Sequence, residues 1–555
     1  MSDPTRLRRR VETVFSLPSL RVAPARPRVA TPASRRPPLT LVLPSLAVGL
    51  LAVIPLVYLV VRAAGAPAGV DALLLRPRTI EILATTVLLG IAVAILSTAI
   101  GLPLAWLTTR TDLPGRRAWT VLAASPLAIP SYVTAFGFVA AFGPSGLLRT
   151  ALAPLGVGEL PSVYGLPGTS LVLGLAAYPY VFLAARAAFL RTDPGLEEAA
   201  RSLGDRPRSV FWRVTLPAIA PGLAAGVMLA VLYAISDFGA VALLGLDTLA
   251  RAIYTQYRAA FDRSLAAALS LVLVLVALAI LLAESRLRGE ARFYRVGPGA
   301  ARPAAPVRLG RWRWPATVLC GLLLAGAVAL PVALLGISAA RALGEGTPLD
   351  PVVRATLHSV SLAGLAALAT AAVALPLAVL SVRYPGRLAT LVERLAYVGF
   401  ALPRISIALG LVFFGAQYAR FLYQTTALVV VAYVILFLPT MLGATTSSLR
   451  QVTPQIEDAA RSLGYGPRRV FTAVTLPLVS PGVLAGAALV FLLAMEELPA
   501  TLILRPAGLD TLATLTWSAA SQAFFGQAAL SALLLVVAAS LSLAILYHRD
   551  EGFTG

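Results

Sequence analysis

The chain has 555 residues, 58% hydrophobic and 13% charged, with a mean hydropathy of +0.83. Apolar runs of membrane-span length recur from end to end, more than a soluble core would use, so the chain reads as an all-α polytopic membrane protein. The formal charge of +21 comes from arginine alone, since the chain contains no lysine, and no soluble basic domain is left over to carry nucleic-acid binding.

In chain order, residues 1–40 are rich in Arg and Pro and lack the short apolar core and cleavage site of a signal peptide. Ser34-Arg35-Arg36 is a weak twin-arginine pattern, but the run after it has span length, and the segment reads as a basic cytoplasmic tail. Helical spans are expected near 41–62, 80–107, 118–142, 169–190, 217–241 and 264–283. The stretch 284–315 holds eight arginines and the amphipathic Arg311-Trp312-Arg313-Trp314, a cytoplasmic connector with tryptophans at the interface. Six further spans follow near 316–339, 355–380, 391–417, 425–444, 479–503 and 527–547. The expected division is a tail at 1–40, a first repeat at 41–290, a linker at 291–315 and a second repeat at 316–555. With the N-terminus inside, arginines concentrate in the cytoplasmic segments, so the positive-inside rule places both termini in the cytoplasm. Cys320 lies in an apolar span and reads as a small buried hydrophobe, with no disulfide possible within one chain.

Each half carries six spans, so the two repeats are parallel and related by an axis along the membrane normal. Leu102-Pro103-Leu104-Ala105 matches Leu375-Pro376-Leu377-Ala378, and Ala128-Ile129-Pro130 matches Ala401-Leu402-Pro403, both at an offset of 273. Further on the offset is 260, which places thirteen extra residues in the first half, most simply within 143–165. At that second offset, 197–222 and 457–482 align without a gap and 17 of 26 positions are identical. Both are polar islands, and surface loops ordinarily drift, so the likeness points to docking on a paired partner rather than to a solvated connector.

Within each island Pro194 or Pro454 suits a helix start. Glu197 and Arg201, like Glu457 and Arg461, stand four apart in the favourable order. Ala199-Ala200 and Ala459-Ala460 keep a face small, and Gly204 and Gly464 suit a left-handed C-cap. A second short helix from Pro207 or Pro467 leads into the next span. The expected local structure is a helix–Gly–helix elbow at the cytoplasmic surface.

The pattern Glu-(Glu/Asp)-Ala-Ala, three residues, Gly, then a Pro-rich tail resembles the EAA loop of type I, MetI-like permeases of ABC importers. In that family the loop forms the coupling helix of the ATPase contact. Ser236-Asp237-Phe238-Gly239-Ala240-Val241, Ala252-Ile253-Tyr254-Thr255-Gln256-Tyr257, and Glu497-Leu498-Pro499-Ala500-Thr501 with Leu509-Asp510-Thr511-Leu512 are similar to the fused ferric-iron permeases. The resemblance implies a twelve-helix MetI-like pseudo-dimer in the inner membrane, two ATPase subunits, one soluble substrate-binding protein and surrounding lipid as partners, and ATP with Mg on the ATPases. Ferric iron is the implied cargo; thiamine or another small solute is the alternative, and a secondary transporter a more distant one. Independently of any family, a Walker A loop needs a lysine, so this chain holds no such nucleotide site and is not itself the ATPase.

The remaining candidates lie on the expected path. Asp237 is about twenty residues past Pro217, and Glu497, with Glu496 beside it, is its counterpart after Pro477. Carboxylates and the phenols Tyr233, Tyr254 and Tyr257 suit Fe(III). Three readings stay open for the acids: a translocation path or outer gate, capping of the span ends, or docking of the binding protein. Arg404 stands where the first repeat has Ser131, and the iron permeases carry a small residue there. It conflicts with a free cation unless it turns to Glu496 or another acid, or the cargo is chelated or anionic. Pro130 and Pro403 should break their helices beside the path. With His358 and His548 as the only histidines, no resident high-affinity metal site is assigned.

Overall fold

A computed structural model of the chain describes residues 37–65, 75–144, 146–152, 154, 160–259, 263–288 and 306–551. The basic tail up to residue 36 and the linker residues 289–305 lie outside the described residues. The described part is helical, with no strand beyond one isolated parallel bridge between Thr111 and Val307.

The first repeat comprises α1 (Leu39–Ala64), α2 (Pro77–Arg110), α3 (Arg116–Ala124), α4 (Ser131–Phe142), α5 (Leu147–Leu152), α6 (Gly165–Arg191), α7 (Pro194–Ser202), α8 (Leu216–Ser236), α9 (Leu249–Ala259) and α10 (Ser264–Arg288). The second comprises α11 (Gly310–Gly344), α12 (Asp350–Arg383), α13 (Arg387–Ala396), α14 (Arg404–Tyr418), α15 (Thr426–Gln451), α16 (Pro454–Ser462), α17 (Leu476–Met495), α18 (Leu512–Ser521) and α19 (Phe525–Glu551). Each of the twelve expected spans overlaps one of these helices or a broken pair of them, and among the described residues ten helices are long and apolar enough to cross a membrane, eleven if the bent pair at Pro403 is one span.

Local chemistry explains the boundaries. Proline occupies the first turn of α2, α7 and α16, where its missing N–H costs nothing, while Pro217 and Pro477 follow the π-helical turns Phe211–Thr215 and Phe471–Thr475. In mid-membrane the same residue breaks the third span of each repeat. Pro130 and Pro403 become the N-caps of α4 and α14, and the helices flanking Pro403 are bent by 106°. The thirteen extra residues correspond to the connection from Phe142 to Gly165, which contains α5, whereas Tyr418 runs to Thr426 without an inserted helix.

Small residues set the packing within each repeat. Gly222 and Gly226 of α8 lie on Ala188 and Ala184 of α6; an added Cβ would come within 2.8 and 2.7 Å of their methyls. Gly482 and Gly486 of α17 meet Ser448, Ala444 and Met441 of α15 in the same way, so both pairs are GxxxG contacts.

The first helix of each repeat crosses to the other half. α1 packs on α10 of its own repeat and on α12, α13 and α14 of the other, and α11 packs on α19 of its own and reaches α2, α3, α4 and α6. The crossing contacts are pseudo-symmetric: a Cβ on Gly410 would lie 2.5 Å from the Pro55 carbonyl oxygen, and one on Gly137 would lie 2.9 Å from Pro331. Cys320 of α11 is accordingly buried within the first repeat's apolar core, and Ala52, Leu59 and Ala63 of α1 within the second's.

Candidate functional site

Each elbow forms as a short helix, a glycine turn and a second helix. Asp193 caps α7 by accepting a hydrogen bond from the Gly195 N–H at 2.9 Å. At the other end Gly204 takes φ +93° and Gly464 φ +86°. The N–H of Asp205 reaches the Ala200 carbonyl at 3.1 Å and that of Gly204 the Arg201 carbonyl at 3.0 Å, with the same pair repeated from Tyr465 and Gly464. These are Schellman ends, which require the left-handed glycine. A π-helical turn, Phe211–Thr215 or Phe471–Thr475, then joins each elbow to α8 or α17.

The elbow residues divide between two faces. Ala199, Ala459, Glu198 and Asp458 are exposed, while Ala460 is buried and Ala200 half-buried. Leu203 and Leu463, just before the turns, are 89% and 80% exposed, with Leu196 and Ile456 also open, so each elbow presents an apolar ridge outward. Glu197 and Glu457 point the other way and are buried. Oε1 of Glu197 lies 3.4 Å from the Arg110 guanidinium at the end of α2 and accepts from the Thr215 hydroxyl at 3.1 Å, while Oε2 pairs with Arg201 at 3.2 Å. Oε1 of Glu457 takes Arg383 at 2.9 Å and Thr475 at 3.1 Å, and Oε2 lies 3.5 Å from Arg461. The same arginines donate to the Phe189 carbonyl at 3.1 Å and the Val452 carbonyl at 2.9 Å. The outward acids are therefore Glu198 and Asp458. Sequence reasoning singled out the inward pair, because spacing gives the Glu–Arg contact but not which side of a short helix faces the protein.

At the opposite ends of α8 and α17, a cavity of about 290 Å³ opens between the repeats. Its polar lining includes Tyr132, Tyr180, Tyr233, Asp237, Arg404 and Glu496. The breaks at Pro130 and Pro403 place the N-termini of α4 and α14 there, each carrying the positive end of a helix dipole. Asp237 accepts from the Ser131 hydroxyl and from the N–H groups of Ala240 (2.9 Å) and Val241 (3.4 Å). Its counterpart Glu497 is fully buried, pairs with Arg404 at 3.0 Å and accepts from the Ala500 N–H at 3.1 Å. One arrangement thus occurs twice, a third-span residue clasping an acid that also accepts from the N–H three residues further on. Ser–Asp fills it in the first repeat and Arg–Glu in the second. The charge of Arg404 is neutralised locally, which removes the conflict that its position posed.

Glu496 lines the cavity, and its Oε1 has no hydrogen-bond partner among the described residues. Tyr180 and Tyr233 pack with tilted rings, 5.5 Å between centres. Tyr254 is not in the lining; it packs on Phe238 at 4.6 Å and Trp517 at 5.7 Å, an aromatic cluster behind the cavity wall. His358 bonds the Asp510 carbonyl at 3.0 Å, tying α12 to the loop before α18. Among the described residues no three of His, Cys, Asp and Glu come together as metal ligands. Tyr132 and Tyr180 were not singled out from the sequence. The signals were there: Tyr132 follows the repeated Pro130 by two, and Tyr180 follows Pro179, which matches Pro439 at the 260 offset.

The family model described as "Binding-protein-dependent transport system inner membrane component" matches residues 101–287 and again 363–549. The chain is similar to the Fe(3+)-transport system permease protein FbpB 2 of Haemophilus influenzae, 34% identical over 91% of this chain and 97% of that protein. A putative ferric transport system permease protein of the same organism is 23% identical over 79% of this chain and 72% of its own length. A probable molybdenum ABC transporter permease protein of Haloferax volcanii is 35% identical over 36% of this chain and 74% of its own. Two matched segments, two elbows and one shared cavity in a single polypeptide agree: the chain is an inner-membrane permease of the binding-protein-dependent ABC transporter family, with both permease repeats fused.

Proposed function

We propose that the chain is the pore of an importer of ferric iron, receiving it from one soluble binding protein and powered by two ATPase subunits that bind ATP and Mg. The likeness to the Fe(3+)-transport permease carries the cargo assignment, since it runs through both repeats, whereas the molybdenum permease matches little more than a third of the chain. The arginine asymmetry favours the elbows and both termini on the cytoplasmic side. There the ridges around Leu203 and Leu463 suit clefts on two ATPase subunits, and the missing lysine requires the nucleotide sites to be on other chains.

In this reading ATP closes the ATPases, the elbows approach, and α8 and α17 tilt at the cavity. Carboxylate and phenol oxygens from Asp237, Glu496, Tyr180 and Tyr233 give a hard, transient environment for Fe(III). The two helix N-termini at the cavity support a second reading, an anionic cargo such as molybdate, because their unpaired N–H groups suit an oxyanion.

One experiment separates them. The chain is co-purified with its ATPase, reconstituted with the binding protein, and offered radiolabelled ferric citrate, molybdate or thiamine. ATP-dependent accumulation of iron alone is the expected result. Uptake of molybdate or thiamine instead of iron would overturn the cargo, and uptake driven by an ion gradient without ATPase would overturn the importer reading itself.

A further inference from the structure

The two elbow carboxylates have a role that docking does not account for. Glu197 and Glu457 are buried, facing away from the exposed ridges of Leu203 and Leu463, so they are not part of the surface offered to a partner. Each is instead the point where three elements meet. Its Oε1 joins the arginine that ends α2 or α12 to the threonine at the base of α8 or α17, and its Oε2 holds the elbow helix's own arginine. Arg110 and Arg383 extend the same knot to Phe189 and Val452, at the ends of α6 and α15.

We propose that Glu197 and Glu457 are positioning residues that carry the elbow's displacement into the transmembrane helices. The only covalent path from the elbow helix to α8 runs through the glycine turn and the π-helical turn Phe211–Thr215, both suited to absorb a swing. The Glu197–Thr215 bond bridges those turns, and the Glu197–Arg110 pair makes α2 follow as well. Separate movement would strip a buried carboxylate of its partners, which low-dielectric surroundings resist. α8 is 21 residues long, so a tilt at its base is delivered about 30 Å away, where Asp237 meets the cavity. Both knots use the same atoms, although neighbouring positions differ between repeats, Glu198 against Asp458 and Asp205 against Tyr465.

This assignment rests on the ABC-importer reading, and its test reports on the two separately without requiring the cargo. Cys320 is the only cysteine and is buried, so Cys320→Ala with Ser236→Cys leaves one thiol, at the cavity wall. Maleimide labelling of that thiol is followed in the assembled ATPase complex, with ATP and with ATP plus vanadate, beside ATP hydrolysis. In the unmodified elbow background labelling should change several-fold with nucleotide. In Glu197→Gln with Glu457→Gln, the ATPase should still co-purify and the nucleotide-dependent change should fall about tenfold more than hydrolysis does. Thr215→Val with Thr475→Val, which removes the hydroxyl link but keeps the charges paired, should weaken it in the same direction and serves where the Gln pair does not fold. Labelling that still responds fully in both variants overturns the assignment, as does loss of response in strict proportion to lost ATPase binding. A parent chain that binds no ATPase overturns the importer reading and this assignment with it.

Discussion

Gly204 and Gly464 hold φ of +93° and +86°, a region that costs a side-chain-bearing residue about 1–2 kcal/mol. A Cβ on either would meet nothing within 4 Å, so the penalty is conformational and not steric. Replacing both with Val should unwind the Schellman ends, tilt the Leu203 and Leu463 ridges and lower ATPase co-purification about tenfold, whereas Asn, which enters the left-handed region more easily, should retain most of it. Equal binding by the Val and Asn variants would show that the turn does not set the ridge. Arg404 and Glu497 make a second residue-scale case. Glu497→Gln leaves the guanidinium without its acid and should cost about 1–3 kcal/mol, less than a fully buried pair because Arg404 is 38% open to the cavity. Arg404→Ser puts the first repeat's hydroxyl at that position, and combining it with Glu497→Gln, which leaves neither charge behind, should recover much of the loss in a thermal melt. No recovery would mean that the two residues act independently. The candidate acids were legible from the internal repeat, as was the break at each proline. Their partners were not, since Ser131 and Arg404 lie 106 and 93 positions from the acids they hold.

The exchanged arms belong to the scale of elements. Gly410 and Gly137 lie against Pro55 and Pro331 so closely that a methyl cannot be added without moving backbone. Gly410→Ala and Gly137→Ala should each destabilise by about 1–3 kcal/mol through overpacking, while Gly364→Ala, with open space around it, should change little. Protease sensitivity of α1 and α11 in detergent reports the difference; arms protected equally in all three variants would show that the close approach is dispensable. The sequence supports the existence of these helices through hydropathy and proline punctuation. Which half each first helix packs against was not readable, because α1 and α11 are apolar on more than one side and a span-length hydropathy run carries no address. The same limit hid the orientation of α7 and α16, whose nine residues complete too few turns to define an inner face.

For the whole molecule, arm exchange makes the repeats interdependent. A chain cut between residues 288 and 306 should reassemble when both pieces are co-expressed, since α1 then finds α12, α13 and α14 and α11 finds α2 and α4. Either piece alone leaves its arm covered on one side only, by α10 or α19, with the opposite binding surface open, and should be degraded. Stable accumulation of one piece alone, measured by immunoblot of membranes, would argue against interdependence. By itself the sequence determined the class, the placement of the helices, the duplication and its two offsets, the paired elbows and the absence of a Walker A site. Each of these follows from composition, period or spacing along the chain. Tertiary structure alone decided that Glu197 and Glu457 turn inward onto Arg110 and Arg383, that Arg404 is neutralised by Glu497, that Tyr254 stands behind the cavity wall and that the first helices change halves. Those are contacts between residues distant in sequence, and which apolar surfaces come together is settled only when every helix competes for the same neighbours.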